Sequence, residues 1–174
     1  VKIDNHQNAR PQSGIQHADM MVEIWVEGIT RFLSVWLDSD AEFLGPIRSM
    51  RPTDFAIQSS WESTFVNSGG QRWIQDIGNA STSRWFAEPP GSFRIGSRSA
   101  PHNLYGDTTA FRYLDQRGPY EEPIDPLWDF GELPDDANYA DTITTNWQSD
   151  YVVSWTWNGE AYERSTRGEP HYYL

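Results

Sequence analysis

Thr30-Arg31-Phe32-Leu33-Ser34-Val35-Trp36-Leu37 is the stretch on which the fold turns. It is apolar at alternate positions of both registers, as a strand buried on both faces must be. A central strand here sends Leu33, Val35 and Leu37 to one side and Phe32 and Trp36 to the other, all of them mostly buried. Upstream, Met20 to Glu27 (MMVEIWVE) is apolar apart from Glu23 and Glu27. As helix or as strand, residues four apart share a side, so the two carboxylates are expected on one face. Asp19 stands where a cap for that segment would be. Val1-Lys2-Ile3 reads as the tail of a further strand, and Asn5 to Gly14 as a polar loop.

Downstream, Asp38-Ser39-Asp40 makes a turn, and Phe43 to Ile47 is an extended piece broken by Gly45-Pro46. A helix is expected from Pro52, with Phe55, Ile57 and Trp61 inward. A short strand follows at Thr64 to Asn67, then Ser68-Gly69-Gly70, then a short helix from Gln71 to Ile77 carrying Trp73, Ile74 and Ile77. Ser81 to Ser99 reads as loop and short strands. Asp107 caps a helix over Thr108 to Gln116, with Phe111 and Leu114 buried. Residues 118–139 form an acidic, Pro-rich linker. Thr142 to Thr144, Tyr151 to Trp157 and Tyr162 to Arg164 are strands, with a type I′ hairpin expected at Asn158-Gly159. The chain is thus read as mixed α/β: a layered sandwich with a central sheet and packed helices over 1–117, the linker, and the start of a truncated β-rich domain over 140–174.

Composition removes several classes of function. The 174 residues include 25 aromatics, nine of them Trp, enough apolar bulk for a packed core. With no Cys there are no disulfides, thiolate metal sites or Cys nucleophiles. No apolar run approaches the ~20 residues of a membrane span. The net charge of −12 is concentrated late in the chain: 11 basic residues face 13 acidic ones up to residue 120, and 2 face 12 beyond it. Such an acidic body is a poor partner for nucleic acid.

Familiar motifs are absent. Asp38-x-Asp40-x-Glu42 has Phe43 and Ser49 where a calcium loop needs Gly and Glu. The four His have no ligand spacing, and no phosphate-cradling Walker loop or nucleophile elbow occurs. No metal and no cofactor are expected.

Polar residues instead gather at the borders of apolar segments, where binding groups are usually presented. Arg10, Arg31, Arg48, Arg51, Arg98, His102 and Asn103 all lie there. Two readings compete. The arginine forks brace loops by pairing with Asp4, Glu23 and Glu27, or the same groups surround a cleft that grips an anionic or carboxylate-bearing ligand. Glu27 with Asp4 (or Glu23) is the candidate carboxylate pair for cleaving a glycan. The Trp residues serve core packing before any sugar platform. Convergence is the test: four or more of Arg10, Arg31, Arg48, Arg51, Arg98 and His102 should meet around one pocket with Glu27. Arg48→Lys and Arg98→Lys should then weaken binding at little cost in stability.

The motifs IDNHQNARPQSG, VEGITRF, GPIRSMRP, NSGG and SRSAPHN, in this order and spacing, resemble the YerB-like lipoprotein family, the DUF3048 domain. The resemblance covers about 1–117, with 140–174 similar to the start of the family's smaller C-terminal domain. It implies an extracytoplasmic cell-envelope protein, lipid-anchored to the outer face of the cytoplasmic membrane by a segment absent from this chain, which begins and ends abruptly. No reaction comes with it. The expected function is binding of a polar or anionic envelope ligand or glycan in the Arg/His/Glu cleft. A carboxylate-dependent hydrolase or lyase of wall glycan and a non-enzymatic partner-binding scaffold are the alternatives.

Overall fold

The computed structural model describes residues 1–61, 63–114, 131–132, 134–138 and 140–174. The expected linker and the end of the helix expected to reach Gln116 therefore lie largely outside the described residues. Contacts divide the chain into Val1–Pro119 with Tyr172–Leu174, and Tyr120–His171.

In the first unit, β1 (Lys2–Ile3), β2 (Met20–Val26) and β3 (Ile29–Val35) form an antiparallel sheet of order β1-β3-β2. β3 is central, as its two apolar registers require. Leu33 packs with Ile24, Val26, Met50, Phe55 and Phe65, while Phe32 packs on the other side with Ile3, Leu44, Ile47 and Val66. Each such side chain is worth about 1.5–3 kcal/mol when fully buried. Val35 and Trp36 are half-buried. Leu37 departs from expectation: the strand ends at Val35 and Leu37 is 71% exposed. Asp19 does not cap β2; its carboxylate accepts from the Leu37 N–H at 2.6 Å and the Ser39 hydroxyl at 2.9 Å, closing the turn after β3.

The β2–β3 hairpin turns on Glu27 (φ 51°) and Gly28 (φ 87°), a pair of left-handed residues that matches the twist of the flanking strands. This separates the two carboxylates expected on one face. Glu23 stays in the strand and accepts the Thr30 hydroxyl, whereas Glu27 leaves it and meets Arg51.

Residues 44–50 run extended beside β1, with Ile3 opposite Ile47 and the Arg48 N–H donating to the Lys2 carbonyl at 2.9 Å. Then come α1 (Pro52–Gln58), β4 (Thr64–Asn67), α2 (Arg72–Ala80) and β5 (Arg84–Ala87), with β4 and β5 parallel. α2 is longer than expected and buries Ile74, but leaves Trp73 and Ile77 largely exposed. β6 (Ser92–Arg94) pairs with β7 (Leu104–Gly106), and Asp107 caps α3 (Thr108–Phe111) by accepting the Thr109 N–H at 2.8 Å.

The second unit holds an antiparallel sheet of β8 (Thr142–Gln148), β9 (Tyr151–Trp157), β10 (Tyr162–Thr166) and β11 (Glu169–Pro170). The expected type I′ turn at Asn158-Gly159 does not form. Only Gly159 takes a positive φ, and the Asn158 side chain accepts the Glu160 and Ala161 N–H groups, both at 2.9 Å, making a longer loop. The two-residue left-handed turn sits at Arg167-Gly168 instead. On this sheet Trp157 meets Tyr162, and Arg164 lies over Trp155.

Candidate functional site

The alternation of β1 and of residues 44–50 puts Lys2, Asp4 and Arg48 on the side of the sheet opposite Ile3 and Ile47. Arg31 points there too, on the same side of β3 as Leu33. α1 and α2 cover part of that side. Its polar end is where the motifs meet.

Asp4 is the hub and is fully buried. One carboxylate oxygen accepts the His6 N–H at 3.0 Å, and the other lies 2.7 Å from His102 Nδ1 and 3.2 Å from Arg48 Nε. An ionised carboxylate only accepts, so His102 carries its proton on Nδ1. The His102 ring stacks on His6 with centroids 4.9 Å apart. Next to Asp4, the Asn5 amide donates to the Thr30 hydroxyl at 2.8 Å, and the Asn5 side-chain oxygen accepts from Arg10 Nε at 2.9 Å. Gln12, also fully buried, donates to the Asp4 carbonyl at 2.9 Å.

A second, closed pair lies alongside. Lys2 Nζ donates to Asp54 Oδ1 at 2.6 Å with both side chains sealed from solvent. Asp54 also accepts the Arg51 N–H at 2.7 Å, holding the first turn of α1. Burial pulls the Lys2 ammonium below the usual lysine range, and Asp54 acts against this.

Arg51 is saturated. It grips Glu27 with a two-pronged fork at 3.0 and 2.9 Å and donates to the Met50 carbonyl at 2.9 Å. The fork holds the Glu27 carboxyl below its ordinary range. Arg98 is also a brace, reaching back to the carbonyls of Ala9 and Pro11. Asn103 accepts from Arg94 at 2.9 Å and joins a separate contact with Glu88.

Arg31 and Arg48 differ from these. Arg31 is almost fully buried and, among the described residues, donates only to the Ser49 carbonyl, at 3.2 Å, while its Nε has no acceptor there. Burial first, then the neighbouring Arg51 and Arg48, lower its guanidinium to about 10, against the opposing pull of Asp4 and Glu27. Arg48 Nε is within ion-pair distance of Asp4 but not aligned for a hydrogen bond, and its Nη groups bond to no protein acceptor among the described residues. Its side chain is 23% exposed.

Of the residues singled out by sequence, Arg31, Arg48, Arg51, His102, Asp4 and Glu27 thus come together. Arg10 joins through Asn5, and Arg98 braces the loop that carries Arg10. Asn103 goes elsewhere. Lys2, Asp54 and Asn67 were missed. A Lys in a two-residue strand and an Asp in a helix's first turn both read as ordinary surface residues, and only the chain packed above them reveals their burial. The described residues hold no group of three His, Asp or Glu side chains able to bind a metal ion.

This is a mixed α/β domain whose central sheet ends in a buried, arginine-rich polar cluster. The chain belongs to the family described as "Protein of unknown function (DUF3048) N-terminal domain", which matches residues 1–119. It is 41% identical over 119 residues to "Putative lipoprotein YerB" of Bacillus subtilis (strain 168), a match covering 66% of this chain and 35% of that protein. The match therefore spans about a third of that relative's length. The crystal structure of YerB protein from Bacillus subtilis superposes with a TM-score of 0.80 at 24% identity, over 99% of this chain and 62% of the other. That likeness concerns the fold.

Proposed function

We propose that this domain binds a polar, anionic ligand of the cell envelope at Arg48 and Arg31. The lipoprotein named among its relatives supports the envelope setting. The observation that carries the reading is the guanidinium of Arg48, 23% exposed, ion-paired to Asp4 only through Nε and with no hydrogen-bond acceptor for its Nη groups among the described residues, beside the equally under-bonded Arg31. Around these two, the cations Lys2, Arg31, Arg48 and Arg51 outnumber the carboxylates Asp4, Asp54 and Glu27 by one. A partly buried excess of positive charge carries a desolvation cost that a bound anion would offset.

The glycan-hydrolase alternative has less support. Asp4 is sealed beneath His102 and Arg48, and Glu27 sits in the Arg51 fork, which keeps it ionised. A general acid needs the opposite, a carboxyl held protonated near neutral pH. The scaffold alternative describes Arg51 and Arg98 well and accounts for the Nε of Arg48 beside Asp4, but not for its Nη groups.

Sedimentation of the protein with purified wall polymer tests the proposal. Wild type should pellet with the polymer and be released by salt, and Arg48→Lys should remain soluble. Equal retention of the two proteins would count against it, and mass spectrometry of released fragments would reveal any cleavage.

A further inference from the structure

The Asn67-Ser68-Gly69-Gly70 stretch is left unused by the arginine cluster, yet it is tied to it. The Ser68 N–H donates to the Arg48 carbonyl at 3.0 Å and the Met50 N–H to the Gly69 carbonyl at 2.9 Å. The turn is therefore stapled to the segment that carries Arg48 and Arg51. It also links β4 to α2 in a parallel β-α-β unit. Such units present the first N–H groups of the helix, without intrahelical partners, just beyond the end of the strand.

No side chain caps α2: Gln71, at the cap position, instead accepts the Trp73 indole N–H at 2.6 Å. Gly69 has φ +90°, and a Cβ built there would meet nothing within 4 Å, so the space outside the turn is open. An independent observation comes from Asn67, which is fully buried. Its side-chain oxygen accepts the Gly69 N–H at 2.7 Å, but its Nδ2 has no acceptor among the described residues. Asn67 shares a strand face with Phe65, which packs with Ile74 of α2, so this amide is held under the turn on the helix side. A buried donor left unpaired is costly, and an anionic oxygen is the partner it lacks.

We infer that the Asn67–Gly70 turn and the N-terminus of α2 form a phosphoryl-binding subsite adjoining Arg48, making the ligand a phosphate ester rather than a carboxylate. The inference rests on the anion-binding reading above and names its chemistry. A planar carboxylate is satisfied by one arginine fork, as Glu27 is by Arg51. Backbone N–H groups, a side-chain amide and a separate guanidinium approach from several directions and suit a tetrahedral group with three or four oxygens.

The test is titration of the ¹⁵N-labelled chain with inorganic phosphate, glycerol 3-phosphate, glycerophosphoglycerol and acetate. Phosphate should move the backbone amides of Gly70 to Trp73 and the Asn67 side-chain amide, with acetate at least about tenfold weaker. The two glycerol compounds distinguish a monoester from a diester source, and a preference for either supports the inference. Arg72→Pro deletes one N–H at the first helical position, where proline fits the backbone. It should bind phosphate about tenfold more weakly than Arg72→Ala, which loses the same charge but keeps the N–H. Shifts confined to Arg31 and Arg48, acetate binding equal to phosphate, or equal affinities of the two Arg72 variants would overturn the subsite and leave the anion-binding proposal standing. No response to any of the anions would overturn both.

Discussion

Arg112 and Arg48 are arginines of one unit with opposite fates. Arg112 spends its fork on its own chain: Nε meets Asp40 at 2.8 Å, while Nη1 and Nη2 donate to the carbonyls of Leu37 and Ser39 at 2.7 and 2.6 Å. These bonds tie the turn after β3 to the residue that follows α3. Arg48 has a buried carboxylate beside it and spends almost nothing. An arginine whose donors all find carbonyls and carboxylates of its own loop is explained by folding alone. One that is half-buried with its fork empty is not. The lesson is to count saturated donors rather than arginines, because the residue type is the same and it is the more exposed Arg112, at 34% against 23%, whose donors are filled.

The comparison can be attacked in order of expected effect. The largest lies in the closed pair next to Arg48. Asp54→Ala strands the Lys2 ammonium in the core and removes an acceptor from the first turn of α1, and should cost about 3–5 kcal/mol by urea denaturation. A loss under about 1 kcal/mol would mean the pair is not sealed as described. Next, Arg112→Ala should cost about 1–2 kcal/mol in the same assay and leave anion affinity unchanged. Arg98→Lys, which breaks two carbonyl bonds to the Ala9–Pro11 loop, should cost about 1 kcal/mol and leave anion affinity unchanged, contrary to the sequence-based expectation for this residue. Arg48→Lys keeps a cation near Asp4 and should change stability by less than about 0.5 kcal/mol while weakening phosphate binding about tenfold.

The smallest effect is a pH dependence. The Glu27 carboxyl is depressed in the folded protein by the Arg51 fork. Its contribution is present above the ordinary value of 4.5 and lost as pH falls through the lower folded value. The side chain is 65% exposed, so solvent screening keeps the contribution below about 0.5 kcal/mol. Glu27→Gln should therefore flatten the acid limb of the stability curve only slightly. A steep change would show that the fork is more deeply buried than its exposure indicates.

Much of the fold was legible because burial on two faces leaves a two-register apolar pattern, and β3 has one. Helix starts at Pro52 and Asp107 were legible from local chemistry alone. Leu37 was not, since nothing local says where a strand ceases to be covered; the Asp19 carboxylate, eighteen residues away in sequence, ends it. The hairpin at Glu27-Gly28 was hidden by an apolar run that seemed to continue through it. At the site, the gathering of Arg31, Arg48, Arg51 and His102 was legible from their place at element ends. Which of them are braces was not. Saturation of Arg98 and Arg51 depends on acceptors in distant loops, the Ala9 and Pro11 carbonyls for one and the Glu27 carboxylate for the other, and residue type carries no trace of that.

The central claim is that Arg48 and Arg31 are open donors whereas Arg98 and Arg112 are closed ones. Side-chain Nε–H spectra of the arginines, recorded while inorganic phosphate is added, measure this directly. The account predicts that the Arg48 and Arg31 resonances shift together along one saturable curve and that those of Arg98 and Arg112 stay in place. Uniform small shifts of all four, rising linearly with salt, would contradict it and leave these arginines as braces and surface charge.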